Sequence, residues 1–222
     1  MKSKVYFTQK LSSSSLVDIY QKANVNLTGK VAVKVHSGEA GNQNFLHPEY
    51  FKDLINYVSG TVVECNTAYD GKRNTTEKHQ QLLKDHKWTE YFNVDLLDAT
   101  GPDLEVSIPN GKVIKKNFLG KNIKNYDSML VLSHFKLWTA NHDSFLESMA
   151  DAASSVTKLF NNNIVYINVM SNMSVDCDCC AKAEDPCMKD IGILLSTDPV
   201  AIDKACLDLV YNSTDPGKEH LI

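Results

Sequence analysis

The chain has 222 residues, 43% hydrophobic and 23% charged, with a formal net charge of -4. A chain of this length can bury a sizeable core, and its mild, scattered negative charge removes the electrostatic case for nucleic acid or an anionic membrane as a partner. Arg73 is the sole arginine, so an anion site is expected to use lysine, histidine or backbone N–H groups instead of guanidinium clamps.

Taken in order, "KVYF" (Lys4–Phe7) reads as a strand. The run Ser12–Ser15 caps a helix over Leu16–Ala23. "KVAVKVH" (Lys30–His36) is a strongly patterned strand. "HPEYFKDLINYV" has Pro48 in a first helical turn and an apolar face of Tyr50, Phe51, Leu54, Ile55 and Val58. "GTVVEC" (Gly60–Cys65) is the next strand, and Thr75–His86 a more exposed helix. Glu105–Phe118 reads as a hairpin, with Asn110-Gly111 supplying the tight turn. Ser128–Phe135 is an apolar strand. A helix follows from His142, with Phe145, Met149, Ala152, Ala153 and Val156 on one side. Asn163–Met170 and Ile191–Ser196 are buried strands, and Asp198 caps a last helix opened by Pro199.

This alternation predicts a three-layer α/β domain over residues 1–222. Its sheet is mainly parallel, with helices on both faces and a β-hairpin insertion. Lys136 runs into Leu137 almost without a connection, which reads as a missing loop between 136 and 137, and the end at Leu221-Ile222 reads as truncated. No stretch approaches a membrane-spanning length and the start lacks a signal-peptide core. A cytoplasmic protein with reduced thiols is expected.

Ligands of open α/β sheets gather beyond the carboxyl ends of the strands. The predicted exits carry His36-Ser37-Gly38-Glu39, Cys65-Asn66-Thr67, Ser133-His134-Phe135-Lys136 and Met170-Ser171-Asn172, the last leading into "SVDCDCCAKAEDPC". Polar loops account for such residues in the bland reading. In the functional one, His36, Cys65, His134 and Cys177 share a pocket. Thiolates suit zinc, copper(I) or iron–sulfur clusters, although C-x-C-C-x6-C matches neither the ferredoxin run nor paired zinc knuckles. Cys177 and Cys179 are the expected first metal ligands, with Cys65, His36 or His134 as candidates to complete the shell. The neighbouring Asp176, Asp178, Glu184 and Asp185 are expected to raise the thiol pKa values. Redox thiols, or a cysteine loop without function, are the other readings. Gly38 and Gly41 let the backbone approach a ligand, and with Asn66 they are candidates to hold a cofactor; ordinary turn chemistry is the alternative. A metal-independent enzyme would bind a small anionic substrate between "HSGEAGN" and "SHFK". There Lys34 or Lys136 supplies charge and His134 the acid–base group, so His134 and Lys136 are the candidate catalytic pair. Cys206 reads as core, and His47, His79, His86, His142 and His220 as surface residues.

The segments "KVAVKVHSGEAGNQNFLHPEY", "VVECNTAYDGKRNTTEKH", "LVLSHFK", "NIVYINVMSNMSVDCDC" and "DIGILLSTDPVAIDKACLDLVY" together resemble the domain-of-unknown-function 362 family of uncharacterised iron–sulfur-centre proteins. The resemblance covers nearly the whole chain. It implies a mostly bacterial and archaeal, soluble protein in a cluster-related redox setting, with a redox partner such as ferredoxin. It implies no particular reaction. Related sequences continue "SHFK" with a glycine-rich stretch that is missing here.

Overall fold

The computed structural model describes residues 3–137 and 143–222. The elements in chain order are β1 (Tyr6–Thr8), α1 (Ser13–Ala23), β2 (Val31–Lys34), α2 (Pro48–Tyr57), β3 (Thr61–Glu64), α3 (Thr76–Asp85), α4 (Trp88–Tyr91) and β4 (Val94–Leu96). They continue with β5 (Leu104–Ser107), β6 (Lys116–Leu119), β7 (Ser128–His134), α5 (Asp143–Leu159), β8 (Ile164–Met170), β9 (Gly192–Ser196) and α6 (Pro199–Tyr211). Local chemistry sets several boundaries. The Ser12 hydroxyl accepts from the Ser15 N–H to start α1, and Thr75 does the same for Lys78 at α3. Asp198 accepts from Val200 and Ala201 ahead of Pro199, so the orphan donors of the first turn are satisfied.

Seven strands form one sheet in the order β1-β9-β8-β7-β2-β3-β4. The run from β8 to β4 is parallel, while β9 and β1 are added antiparallel at one edge. The three-layer α/β architecture with a mainly parallel sheet is therefore present. Alternation along the strands splits the core. Val33, Val35, Val62, Leu130, Leu132, Val165 and Ile167 face α1, α2 and Trp88 of α4. Ala32, Val63, Met129 and Ile164 face Phe160 and Ile123 on the other side. There α6 adds Ile202, Cys206 and Val210 over Met170 and Leu194. Cys206 is fully buried, as a small apolar residue would be.

The structure departs from the sequence reading at three places. Strand β4 and the single-turn α4 were not anticipated, because three- and four-residue elements carry too little periodicity to read. The hairpin exists, but Asn110-Gly111 is not its two-residue turn. The pairing ends at Ser107 with Lys116, and the intervening loop is held from outside: the Asp151 carboxylate of α5 accepts from the Lys112, Val113 and Ile114 N–H groups. A tertiary anchor overrides the local turn signal.

The topology also locates a crevice. From β2 the chain steps outward to β3 and β4, and after the hairpin it returns to β7 on the opposite flank of β2. The carboxyl ends of β2 and β7 thus form the switch point, the place where such sheets hold ligands.

Candidate functional site at the carboxyl edge

The switch-point crevice is filled by the chain itself. The segment between β8 and β9 folds back over it, clipped at its base by the bridge between Met173 and Met188, and carries the cysteines. Asp178 points down from this loop onto His134, whose Nδ1 lies 2.8 Å from Asp178 Oδ2, while its Nε2 lies 2.5 Å from the Ser171 carbonyl. Both ring nitrogens face acceptors, an arrangement that only a doubly protonated ring satisfies. The side chains are 3% and 5% exposed, so this is a buried ion pair. Burial works to raise the Asp178 pKa, but the hydrogen bond and charge of His134, with Lys136 behind it, outweigh that and hold it below the ordinary value. Lys136 donates to the Asn172 carbonyl at 3.0 Å and the Ser174 hydroxyl at 2.8 Å. His134 and Lys136 therefore do meet at the carboxyl edge, and their donors fasten the cysteine loop to the sheet.

The loop after β2 forms the second wall. Asn42 donates to the carbonyls of Cys180 (2.8 Å) and Cys177 (3.3 Å), and the Glu39 N–H donates to the Asp178 carbonyl at 2.9 Å. Gly41, at φ +90°, faces the Ala181 carbonyl, which an added Cβ would meet at 2.9 Å; Gly38, at φ +82°, lies under the Phe45 ring, 2.4 Å from where a Cβ would stand. Both glycines thus serve close contact within the protein. Gly38→Ala is expected to lower stability by roughly 1–3 kcal/mol, since it combines a strained φ with a clash; thermal unfolding beside the wild type reads this directly.

His36 is half-buried, and burial lowers its pKa to about 4. Its Nδ1 accepts from the Gly38 N–H at 3.1 Å, which leaves the proton of the neutral ring on Nε2. Neither nitrogen offers a free lone pair to a metal in this tautomer. Asn66 is also engaged: its N–H donates to the Asp98 carboxylate at 2.9 Å, and its side chain bridges Thr76 and His79. Cys65 is exposed at the β3 exit.

Beside this lies a buried charged cluster that the sequence reading missed. Glu64, at the end of β3, accepts from the Ser37 N–H and stands 4.0 Å from both Arg73 and His79. Arg73 Nε lies 3.3 Å from Glu39, and its NH2 donates to the Tyr69 hydroxyl at 2.7 Å. Burial works to raise the Glu64 carboxyl, but Lys34, the neighbouring histidines and Arg73 bring it below the usual range. Burial of Glu39 is likewise outweighed by N–H groups of Lys72 and Ala40 and by Arg73. His79 is fully buried, which corrects its reading as a surface residue. Burial lowers its pKa, and the neutral ring is held between Asn66 and the Ser37 hydroxyl. His86 is partly covered too, stacked on Phe45 with ring centroids 4.5 Å apart. His47 and His220 are exposed, and His142 lies outside the described residues. A clue was available for this cluster: a carboxylate ending a buried apolar strand needs a cation, and the chain has one arginine.

The cysteine turn itself is compact. The Cys180 N–H donates to the Cys177 carbonyl at 2.9 Å, and the Cys179 N–H approaches Cys177 Sγ at 3.4 Å. Burial, followed by hydrogen bonding and repulsion from the Cys177 and Cys180 thiols, pushes the Cys179 thiol up to about 12. For Cys179 the cause differs from the expected carboxylate repulsion, whereas the Cys187 thiol is raised by burial with a contribution from the Glu184 carboxylate. Asp178 is turned onto His134, and Asp176 accepts from the Glu184 N–H at 2.8 Å. Cys187 stands apart, with its thiol toward the Met173 carbonyl at 3.4 Å. Beyond Cys179 opens a pocket of about 490 Å³ whose lining includes Tyr69, Lys72 and Lys78. Among the described residues, no three His, Cys, Asp or Glu side chains stand in an arrangement ready to hold a metal ion, and no helix is long and apolar enough to cross a membrane.

Fold and site together define an α/β protein with a mainly parallel sheet, whose switch point is sealed by its own cysteine-bearing loop. The sequence places it more narrowly. The model of the domain-of-unknown-function family DUF362 matches residues 31–139 and 137–208, and the chain belongs to that family. No curated protein matches the chain.

Proposed function

We propose that the functional centre is the Cys177–Cys180 turn, acting as a soft-donor site for a thiophilic metal ion. One observation carries this reading: the thiols of Cys177, Cys179 and Cys180 interact within a single turn, and that turn is pinned to the sheet through Asp178, His134 and Asn42. The residues do not fit a cluster held by four thiolates. Cys206 lies in the core under α6, Cys187 is turned to Met173, and the charged neighbours of Cys65 are Asp98, Glu64, Lys34 and Asp95. They fit an ion such as zinc or copper(I), taken by two or three thiolates that close on it as it binds. Such an ion would supply a rigid cross-link, or a one-electron site if it is redox-active. A redox role, a carrier such as ferredoxin as partner and a cytoplasmic setting that keeps the thiols reduced all rest on this proposal.

The protein's own residues prepare the turn. His134 and Lys136 absorb the charge of Asp178, so this carboxylate anchors the loop without competing for the ion. Anaerobic protein titrated with zinc and with copper(I) against a chromogenic competitor is expected to take up one ion per chain. Cys177→Ser/Cys179→Ser is expected to lose at least 100-fold in affinity. Uptake unchanged in that variant, or none in the wild type, would refute the centre.

A further inference from the structure

On the opposite face of the sheet from the buried charged cluster, α5 and α6 flank a gap. Among the side chains of α5, only Ser155 is fully buried, and Asn117 of β6 holds that residue at 2.9 Å. The gap between the helices is a groove of about 690 Å³ with a largely apolar surface, within the ~300–1,000 Å³ range of small-molecule sites. Its floor is Val131, Ile164 and Tyr166, and its walls include Ala153 and Val200. Val200 is 77% exposed, an unusual position for an apolar residue in the first turn of a helix that otherwise packs on β8 and β9.

The groove also has a polar end. Lys34, Val131 and Tyr166 are cross-strand neighbours in register, so the Lys34 side chain stands beside the apolar floor. Its ammonium makes no hydrogen bond or ion pair with any described residue. Asp203 lies on the α6 flank and does not pair with it. One carboxylate oxygen of Asp203 instead accepts from Asn168 at 2.9 Å. The groove thus combines an apolar trough with two lysines, Lys34 and Lys158, and the Asp203 carboxylate along its lining.

We propose that this groove is a binding site for an amphipathic carboxylate, its apolar body lying along Val131, Ile164 and Tyr166 and its head pairing with Lys34. The trough provides hydrophobic transfer energy, which scales with the chain length covered, and the Lys34 ammonium, in register with the floor, selects the anionic head. The site is separate from the cysteine turn and independent of it.

Calorimetric titration with decanoate and with decanol tests this. Decanoate is expected to bind at least tenfold more tightly than decanol. Lys34→Met is expected to cut that preference at least threefold while leaving decanol affinity unchanged, because the head loses the cation in register with the floor. Val200→Glu, at an exposed position compatible with folding, is expected to weaken decanoate tenfold or more by placing a carboxylate on the wall. Circular dichroism verifies that both variants are folded. Decanoate binding that ignores both substitutions, equal affinity for acid and alcohol, or no binding of either would overturn the proposal. Zinc uptake at the cysteine turn is expected to be the same in both variants, so failure here is distinguishable from failure of the thiol centre.

Discussion

Asp178→Ala is expected to cost about 3–5 kcal/mol of folding stability, the range typical of removing one partner from a buried ion pair. The penalty arises because the buried His134 Nδ1 loses its partner and the cysteine loop loses the contact that holds it to the sheet. Lys136 also loses the carboxylate 4.0 Å away. Asp178→Asn, which keeps an acceptor but not the charge, is expected to fall between the variant and the wild type. Urea unfolding at pH 7 measures both, and a loss below about 1 kcal/mol for the alanine variant would show that the pair does not hold the loop. The pH dependence has a definite sign. The folded pKa of Asp178 is lowered, so the folded state favours the ionised carboxylate. Its contribution is complete above the unfolded value of about 3.9 and is lost as pH falls through the folded value. The wild type should therefore lose this increment below about pH 4, whereas Asp178→Asn should show a flatter acid limb.

Arg73→Met is expected to be comparably damaging, again about 3–5 kcal/mol, because it strands two buried carboxylates. The guanidinium spans Glu39 and Glu64 and also donates to Tyr69, which the point charge of lysine does not reproduce. Arg73→Lys is expected to recover only part of the loss. The variant should also change its response to acid. Without the cation the Glu39 and Glu64 pKa values rise from their wild-type folded values, although the Lys72 and Ala40 N–H groups and the Lys34 charge still act on them, so the deficit is largest at neutral pH. It shrinks as pH falls toward the carboxylate range, where protonation relieves it. Combining Glu39→Gln with Arg73→Met should restore stability relative to Arg73→Met alone, and the double-mutant cycle gives the coupling. An additive cycle would mean that Glu39 and Arg73 do not depend on one another.

These two clusters mark where a linear reading stops. The α/β class, the parallel core strands and the capped helices follow from periodicity and from the residues at helix starts, which are local properties of ten or so neighbouring residues. Each of Ser12, Thr75 and Asp198 acts within its own turn. The placement of polar residues at strand exits is legible for the same reason, because strand direction fixes which end becomes the carboxyl edge. The role of each polar group is a different matter. Asp178 looked like one more acidic residue beside the cysteines until the loop delivered it to His134, 44 positions earlier in the chain. Glu64 was hidden inside an apolar strand, and Arg73 lay in a loop whose path back to Glu39 no local pattern encodes. Lys34, weighed for an anion site between the glycine loop and His134, faces a groove on the other side of the sheet.

The sequence by itself determined the layered α/β plan, the family, the cysteine turn and the set of polar residues at the sheet's carboxyl edge, since these depend on chain-local chemistry. Only the tertiary structure decided which charges neutralise one another, that the switch point is occupied by the chain's own aspartate, and that Lys34 makes no ion pair with any described residue. The physical reason is that burial and pairing energies depend on distances between groups far apart in the chain, and these are fixed only when sheet order and loop paths are set.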